Sequence, residues 1–191
     1  TFRIDVIESD TFSLRDIVHL VCDKNPVILS EGSLTRIEDV LRSNRRIYRG
    51  AFNPPTKAHF ALGADALFEL SIGSPWKLDI SLEDLLHRIK MFEVEKKPLM
   101  ISGRLSLFVD FHKMISSIQE GRYEYIIGTD TFNAVTNPKF IFGEDYLSDF
   151  GSNGTAKFLV SERHDMNINK CPAESLISYE IYKTDLCDNS I

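Results

Sequence analysis

The stretch Arg46-Ile47-Tyr48-Arg49-Gly50-Ala51-Phe52-Asn53-Pro54-Pro55-Thr56-Lys57-Ala58-His59 decides the fold. Ile47-Tyr48-Arg49 predicts a short strand. Gly50 has no Cβ, so the backbone can turn tightly there and approach a ligand closely. Pro54 and Pro55 fix φ and stiffen the loop. Thr56 is a residue type that caps helices through its hydroxyl, so a helix is expected to begin near it. His59 then falls at the third helical position, facing back toward the turn. A phosphate placed there would meet free backbone N–H groups and the positive end of a helix. An imidazole at that point can donate a hydrogen bond to a phosphate oxygen. A tight strand-to-helix connection with a surface histidine would share part of this pattern. The combination of Gly, aromatic, Asn-Pro, Thr and His at these offsets is far more specific.

Outward from this turn, strands and helices alternate. Residues 57–69 place Phe60, Leu62, Ala64, Leu67 and Phe68 on one face and predict a helix; Glu69 to Ile72 predict a second strand. Leu82 to Phe92 is a helix with Leu85, Leu86, Ile89 and Phe92 together, and Pro98 to Ser102 is a buried strand. Leu105, Phe108, Val109, His112, Ile115 and Ile118 share one face of a long helix. His112 lies on that apolar face and reads as a satisfied core residue. Tyr123 to Ile127 is the next strand, closed by Gly128, and Thr131 to Val135 begins a helix. Phe140 to Thr155 is rich in Gly, Asp and Ser and predicts a loop. Lys157 to Ser161 and Ser178 to Thr184 are strands. Such alternation implies an α/β fold with a parallel sheet and right-handed crossovers, whose ligands sit beyond the carboxyl ends of the strands.

Residues 1–43 read differently. Phe2, Ile4 and Val6 alternate like a strand edge, Ser13 to Cys22 has helical spacing broken by Pro26, and Val27-Ile28-Leu29 is a short apolar run. Ser33 is a candidate cap for a helix through Leu34, Ile37, Val40 and Leu41. No recognisable chemistry falls here. The expected organisation is an N-terminal extension over 1–43, packing on or regulating a domain over 44–191.

Bulk properties restrict the function class. The 191 residues are 43% hydrophobic and 26% charged, with 13 Phe, which is a globular composition. A net charge of −6 disfavours nucleic acid as a partner, since that requires a basic face. Apolar runs are too short to cross a bilayer, and no basic region followed by an apolar stretch opens the chain, so neither membrane association nor a signal peptide is expected. Cys22, Cys171 and Cys187 are an odd, widely spaced set, which argues against a disulfide framework or structural zinc and for a reducing, cytoplasmic setting. No metal-ligand cluster is visible.

The 50–59 turn resembles the (H/T)xGH signature of the nucleotidyltransferase superfamily in its G-x-F-(D/N)-P-x-(H/T)-x-x-H form. It is most similar to that of the nicotinamide and nicotinate mononucleotide adenylyltransferases. Thr56 takes the first His/Thr place and His59 the second His. Ala58 replaces the usual Gly, and Arg49 stands where a first Gly often sits. Three further stretches follow in family order. Tyr125-Ile126-Ile127-Gly128-Thr129-Asp130, followed by Asn137-Pro138-Lys139-Phe140, resembles the G-(A/S/T)-D element. In the family, its Gly and Asp lie near ribose hydroxyls. His87-Arg88-Ile89-Lys90-Met91 resembles the helix bordering the acceptor pocket, and Leu159-Val160-Ser161-Glu162-Arg163 the late strand whose Arg lines the site.

The resemblance implies a Rossmann-like, doubly wound parallel sheet with helices on both faces. It also implies a function in NAD biosynthesis: transfer of AMP from ATP to nicotinamide or nicotinate mononucleotide, with release of pyrophosphate. His59, Thr56 and Lys57 would act on the phosphates, with Mg²⁺ carried by the triphosphate. Gly50, Ala51, Phe52, Asn53, Gly128, Thr129, Asp130 and Arg163 would bind the nucleotide. Lys77 and Arg88 are candidates for the small phosphate-bearing acceptor. The family often forms homo-oligomers. Its late I-S-S-T-x-x-R motif is not among the 191 residues, so the domain is expected to lack its last helix. Two alternatives stay open: adenylyl or cytidylyl transfer to another phosphate, such as phosphopantetheine, and a non-catalytic nucleotide-binding or interaction module of the same fold.

Overall fold

In a computed structural model, residues 26–72, 80–102, 108–136, 154–162, 168 and 178–182 are described. Among these residues eight strands are joined in one sheet: β1 (Val27–Ser30), β2 (Ser33–Thr35), β3 (Arg46–Gly50), β4 (Leu67–Ser71), β5 (Leu99–Ser102), β6 (Tyr123–Gly128), β7 (Ala156–Ser161) and β8 (Tyr179–Tyr182). Among the same residues five helices connect or flank them: α1 (Ile37–Ser43), α2 (Lys57–Leu62), α3 (Leu82–Val94), α4 (Phe108–Ile118) and α5 (Thr129–Val135).

The sheet order is β2-β1-β5-β4-β3-β6-β7-β8. From β5 to β8 every pairing is parallel. Counted from β3, these six strands run third, second, first, fourth, fifth, sixth, the order of a doubly wound Rossmann-like sheet. β1 adds to β5 antiparallel and carries β2 as a hairpin. The turn between them, Glu31-Gly32, has positive φ at both residues, the backbone that matches the twist of a two-residue hairpin. An antiparallel edge on a parallel sheet is common in large α/β sheets.

Helices cover both faces. Ile47, Leu67, Met100, Tyr125 and Phe158 point to a face packed by Leu41 of α1, Phe108, Phe111 and Ile115 of α4, and Phe132 of α5. Tyr48, Phe68, Leu70, Ile101 and Leu159 point to the other, packed by Leu62 of α2 and Leu85, Ile89 and Phe92 of α3. β4 and β5 therefore read as nearly unbroken apolar runs, as strands buried on both sides must.

Two local expectations are corrected. The helix expected over 57–69 ends at Leu62, because Leu67 and Phe68 begin β4 between β3 and β5. Apolar runs satisfy helical spacing and a doubly buried strand equally well. Ser33 does not cap a helix: Ser33–Thr35 is β2, and α1 begins at Ile37. Residues 27–43, set apart in the sequence as extension, supply two strands of the same sheet and a helix packed on α4. Residues 1–25, the cysteines, and most of the loop from Phe140 to Thr155 lie outside the described residues.

Candidate functional site

From β3 the chain crosses by α2 over one face of the sheet; from β6 it crosses by α5 over the other. The two connections leave on opposite faces, the arrangement that in doubly wound sheets opens a crevice above the carboxyl ends of the two strands, here β3 and β6. Ligands of doubly wound sheets bind at this reversal of strand order. The turn 50–56 follows β3, and Gly128-Thr129-Asp130 follows β6. The two stretches singled out in the sequence therefore border one crevice.

Thr56 begins α2 with a capping box. Its Oγ1 accepts from the His59 N–H at 3.4 Å, and its own backbone N–H donates to His59 Nδ1 at 3.0 Å. The Thr56 hydroxyl lies 2.8 Å from the same Nδ1. A backbone N–H can only donate, so Nδ1 is the accepting nitrogen and the neutral ring carries its proton on Nε2. Nε2–H has no partner among the described residues. Burial holds the His59 pKa below its ordinary value, so the imidazole is neutral at pH 7. The result is a fixed ring with one donor to offer.

The turn itself is held from three sides. Phe52 has a φ of 45°, and its ring is buried edge-on against Tyr48, His59, Phe68 and Phe92. Gly50 is required by that ring: a Cβ there would stand 2.9 Å from the Phe52 ring tip. The Asn53–Pro54 bond is cis. Arg88 of α3 is buried and donates to the Ala51 carbonyl at 2.6 Å. Its neighbours His87, Lys90 and Met91 line a shallow groove with Phe60.

Beneath the end of β3 is a buried charge cluster. Arg49 Nε donates to Glu69 Oε2 at 2.7 Å, with both side chains almost wholly out of water. The Ser102 hydroxyl donates to the other Glu69 oxygen. The guanidinium lies over the rings of Phe108 and Phe111, 4.7 and 4.2 Å from their centroids. Three adjacent strands are thereby tied at the level of the crevice. Nearby, His112 Nδ1 pairs with the Tyr125 hydroxyl at 2.6 Å and Nε2 with Thr155 Oγ1 at 3.0 Å, so this histidine is a satisfied core residue.

No model of a known protein family matches this chain, and no curated protein does. The resemblance rests on the quoted motifs alone.

The sequence-predicted residues fall as follows. Gly50, Ala51, Phe52, Asn53, Thr56, Lys57 and His59 lie along one continuous turn, with Ala51, Asn53, Thr56 and Lys57 exposed. Gly128 and exposed Asp130 stand at the neighbouring strand end; Asp130 Oδ1 lies 2.7 Å from where a Gly128 Cβ would be. Thr129 is fully buried and donates to the Ser161 carbonyl of β7 at 3.1 Å. Lys77 and Arg163 lie outside the described residues, as does Trp76. Among the described residues no group of three His, Cys, Asp or Glu converges on a cation site.

Sequence reasoning missed Tyr48, Glu69 and Ser102. Glu69 had a usable signal: a carboxylate inside Leu67-Phe68-Glu69-Leu70 must meet a partner if the strand is buried. Tyr48 had none, because its importance depends on which strand becomes its neighbour. Among the described residues no helix is long and apolar enough to cross a membrane.

Proposed function

We propose that this chain is a nucleotidyltransferase that binds ATP in the crevice between β3 and β6 and transfers its AMP group to a phosphate-bearing acceptor. A nicotinamide or nicotinate mononucleotide is the acceptor class favoured by the sequence resemblance, which would place the reaction in NAD biosynthesis. The observation that carries the proposal is the Thr56–His59 pair at the reversal of strand order, with Nε2–H left as the ring's donor.

In such a reaction an acceptor phosphate oxygen attacks the α-phosphorus, the bond to the β-phosphate oxygen breaks, and pyrophosphate leaves. No covalent intermediate on the protein is needed, so catalysis reduces to positioning and to holding developing charge. His59 Nε2–H would donate to a phosphate oxygen. Thr56, exposed Lys57 and the N–H groups of Ala51 and Phe52 would hold the remaining phosphate oxygens. Asp130 and Gly128 would lie against the ribose. The Mg²⁺ travelling with ATP would neutralise part of the phosphate charge. The cysteine pattern favours a reducing, cytoplasmic setting.

A second reading is favoured by Arg88. It is buried and committed to the Ala51 carbonyl, which takes a cation away from the acceptor side. A nucleotide-binding module without transfer is consistent with that. Pyrophosphate release separates the two readings, measured with ATP and Mg²⁺ against nicotinamide mononucleotide, nicotinate mononucleotide and phosphopantetheine. Release with one acceptor establishes the enzyme. ATP binding without release with any of them leaves the module.

A further inference from the structure

Leu85, Arg88, Ile89 and Phe92 fall on one face of α3, and all four are buried. An arginine within such an apolar stripe loses most of its hydration and has to find its partner in the protein. The partner is backbone. The guanidinium of Arg88, a residue only 6% exposed, donates to the Ala51 carbonyl at 2.6 Å. One turn further along the same stripe, Phe92 meets the Phe52 ring edge-on, with 5.4 Å between centroids. α3 therefore holds the chain on both sides of the Phe52 N–Cα bond: Arg88 fixes the peptide before it, and Phe92 packs the side chain after it.

Rotation about that bond is φ. At Phe52 it is 45°, a left-handed value that a bulky residue keeps only when its surroundings impose it. The Ala51–Phe52 peptide is trans and planar, so its N–H points opposite to its carbonyl. With the carbonyl drawn toward α3, the Phe52 N–H is turned away from that helix. It donates to no backbone carbonyl among the described residues. Ala51 is exposed, so water could satisfy its carbonyl; what the arginine adds is a fixed orientation.

We propose that Arg88 is a positioning residue: by holding the Ala51 carbonyl it keeps Phe52 left-handed and presents the Phe52 N–H to a phosphate oxygen of the nucleotide, while touching neither nucleotide nor acceptor itself. This rests on the nucleotide-binding proposal above. Without Arg88 the 51–52 peptide can rotate, Phe52 relaxes toward negative φ, and the N–H leaves the phosphate.

The test is titration of the full, isotope-labelled chain with ATP and Mg²⁺, then with nicotinamide mononucleotide, by NMR and calorimetry. In wild type, ATP should move the Phe52 amide resonance, and the mononucleotide should leave the Arg88 Nε–H resonance in place. Arg88→Met keeps an unbranched stem in the stripe and removes the donor. It should bind ATP about tenfold to a hundredfold more weakly, the contribution of one hydrogen bond to a charged group. Saturating ATP should then still move the Gly128 amide resonance but no longer that of Phe52. Lys90→Met removes one exposed positive charge from the same helix and should change ATP affinity by at most about fivefold. ATP affinity unchanged in Arg88→Met, or lowered equally in Lys90→Met, overturns the proposal. So does a wild-type Phe52 amide that ATP does not move, which decides the matter even where a variant fails to fold. An Arg88 Nε–H resonance that moves with the mononucleotide also overturns it and makes Arg88 an acceptor ligand. In all these cases nucleotide binding itself stands. Absence of ATP binding by wild type overturns both.

Discussion

His59 closes a helix cap with one ring nitrogen and, in the proposed reaction, would donate to phosphate with the other. Nδ1 closes the helix cap by accepting from the Thr56 N–H, and that fixes the proton on Nε2. The jobs can be separated. A Gln at this position can still accept from the Thr56 N–H, as in an ordinary capping box. His59→Gln should therefore keep the wild-type melting midpoint while pyrophosphate release falls by roughly 10² to 10³, the usual effect of losing one donor to developing charge. His59→Ala should lose the same rate and in addition about 1 kcal/mol of stability with the cap. Undiminished release by the Gln variant would remove His59 from the site. Gly50 answers a different constraint, the proximity of the Phe52 ring. That ring is buried among four others, so it has little room to yield. Gly50→Ala should cost about 1–3 kcal/mol in urea denaturation, as overpacking does.

Among the elements, α2 is the least self-sufficient. Six residues are fewer than two turns, too short to hold together without its cap and its packing. It stops at Gly63, where a Cβ would fall 2.4 Å from the Phe68 ring tip and 2.8 Å from Tyr48 Cδ1. The helix lies that close to the sheet, which is how His59 and Tyr48 come to share one aromatic cluster. Strand β3 is fixed by the Arg49–Glu69–Ser102 cluster. Removing one member of a buried ion pair leaves an uncompensated charge, so Arg49→Met should destabilise by about 3–5 kcal/mol in chemical denaturation. Adding Glu69→Leu should restore much of that loss, because both charges are then gone. A double variant no more stable than the single would mean that Arg49 acts through its packing on Phe108 and Phe111 instead.

For the whole molecule, half-buried His59 and buried His112 set the acid limit. Burial holds both His59 and His112 below their ordinary pKa, so the native state keeps them neutral. The unfolded chain takes up protons near pH 6.5, so below that pH it binds more protons than the native state. Their contribution is complete above about pH 6.5 and is lost as pH falls toward the folded values. The melting midpoint should be level from about pH 8 to 7 and decline below about 6.5, and a rise on acidification would refute this assignment.

How much of this was legible follows from the same physics. The turn at 50–56 was readable because Gly, Pro and Thr restrict the backbone locally, wherever the strands later lie. The strand–helix alternation was readable from apolar spacing, except at Leu67-Phe68, where a buried strand imitates a helix. Arg49–Glu69, and Tyr48 beside Ile126, were not readable. Their partners are set by which strands become neighbours and in what register, and no local pattern encodes that.

The edge hairpin has a consequence for the order of events during synthesis. Among the described residues, β1 pairs with β2 and with β5 and with no other strand. β5 leaves the ribosome roughly seventy residues after β1, and long-range pairings of this kind form late. A two-stranded hairpin alone is marginal in water. The nascent chain must therefore carry β1 and β2 unsupported while β3, α2 and β4 emerge. A chain truncated before Leu99 should leave Val27–Thr35 open to limited proteolysis, whereas one extending past Ser102 should protect it.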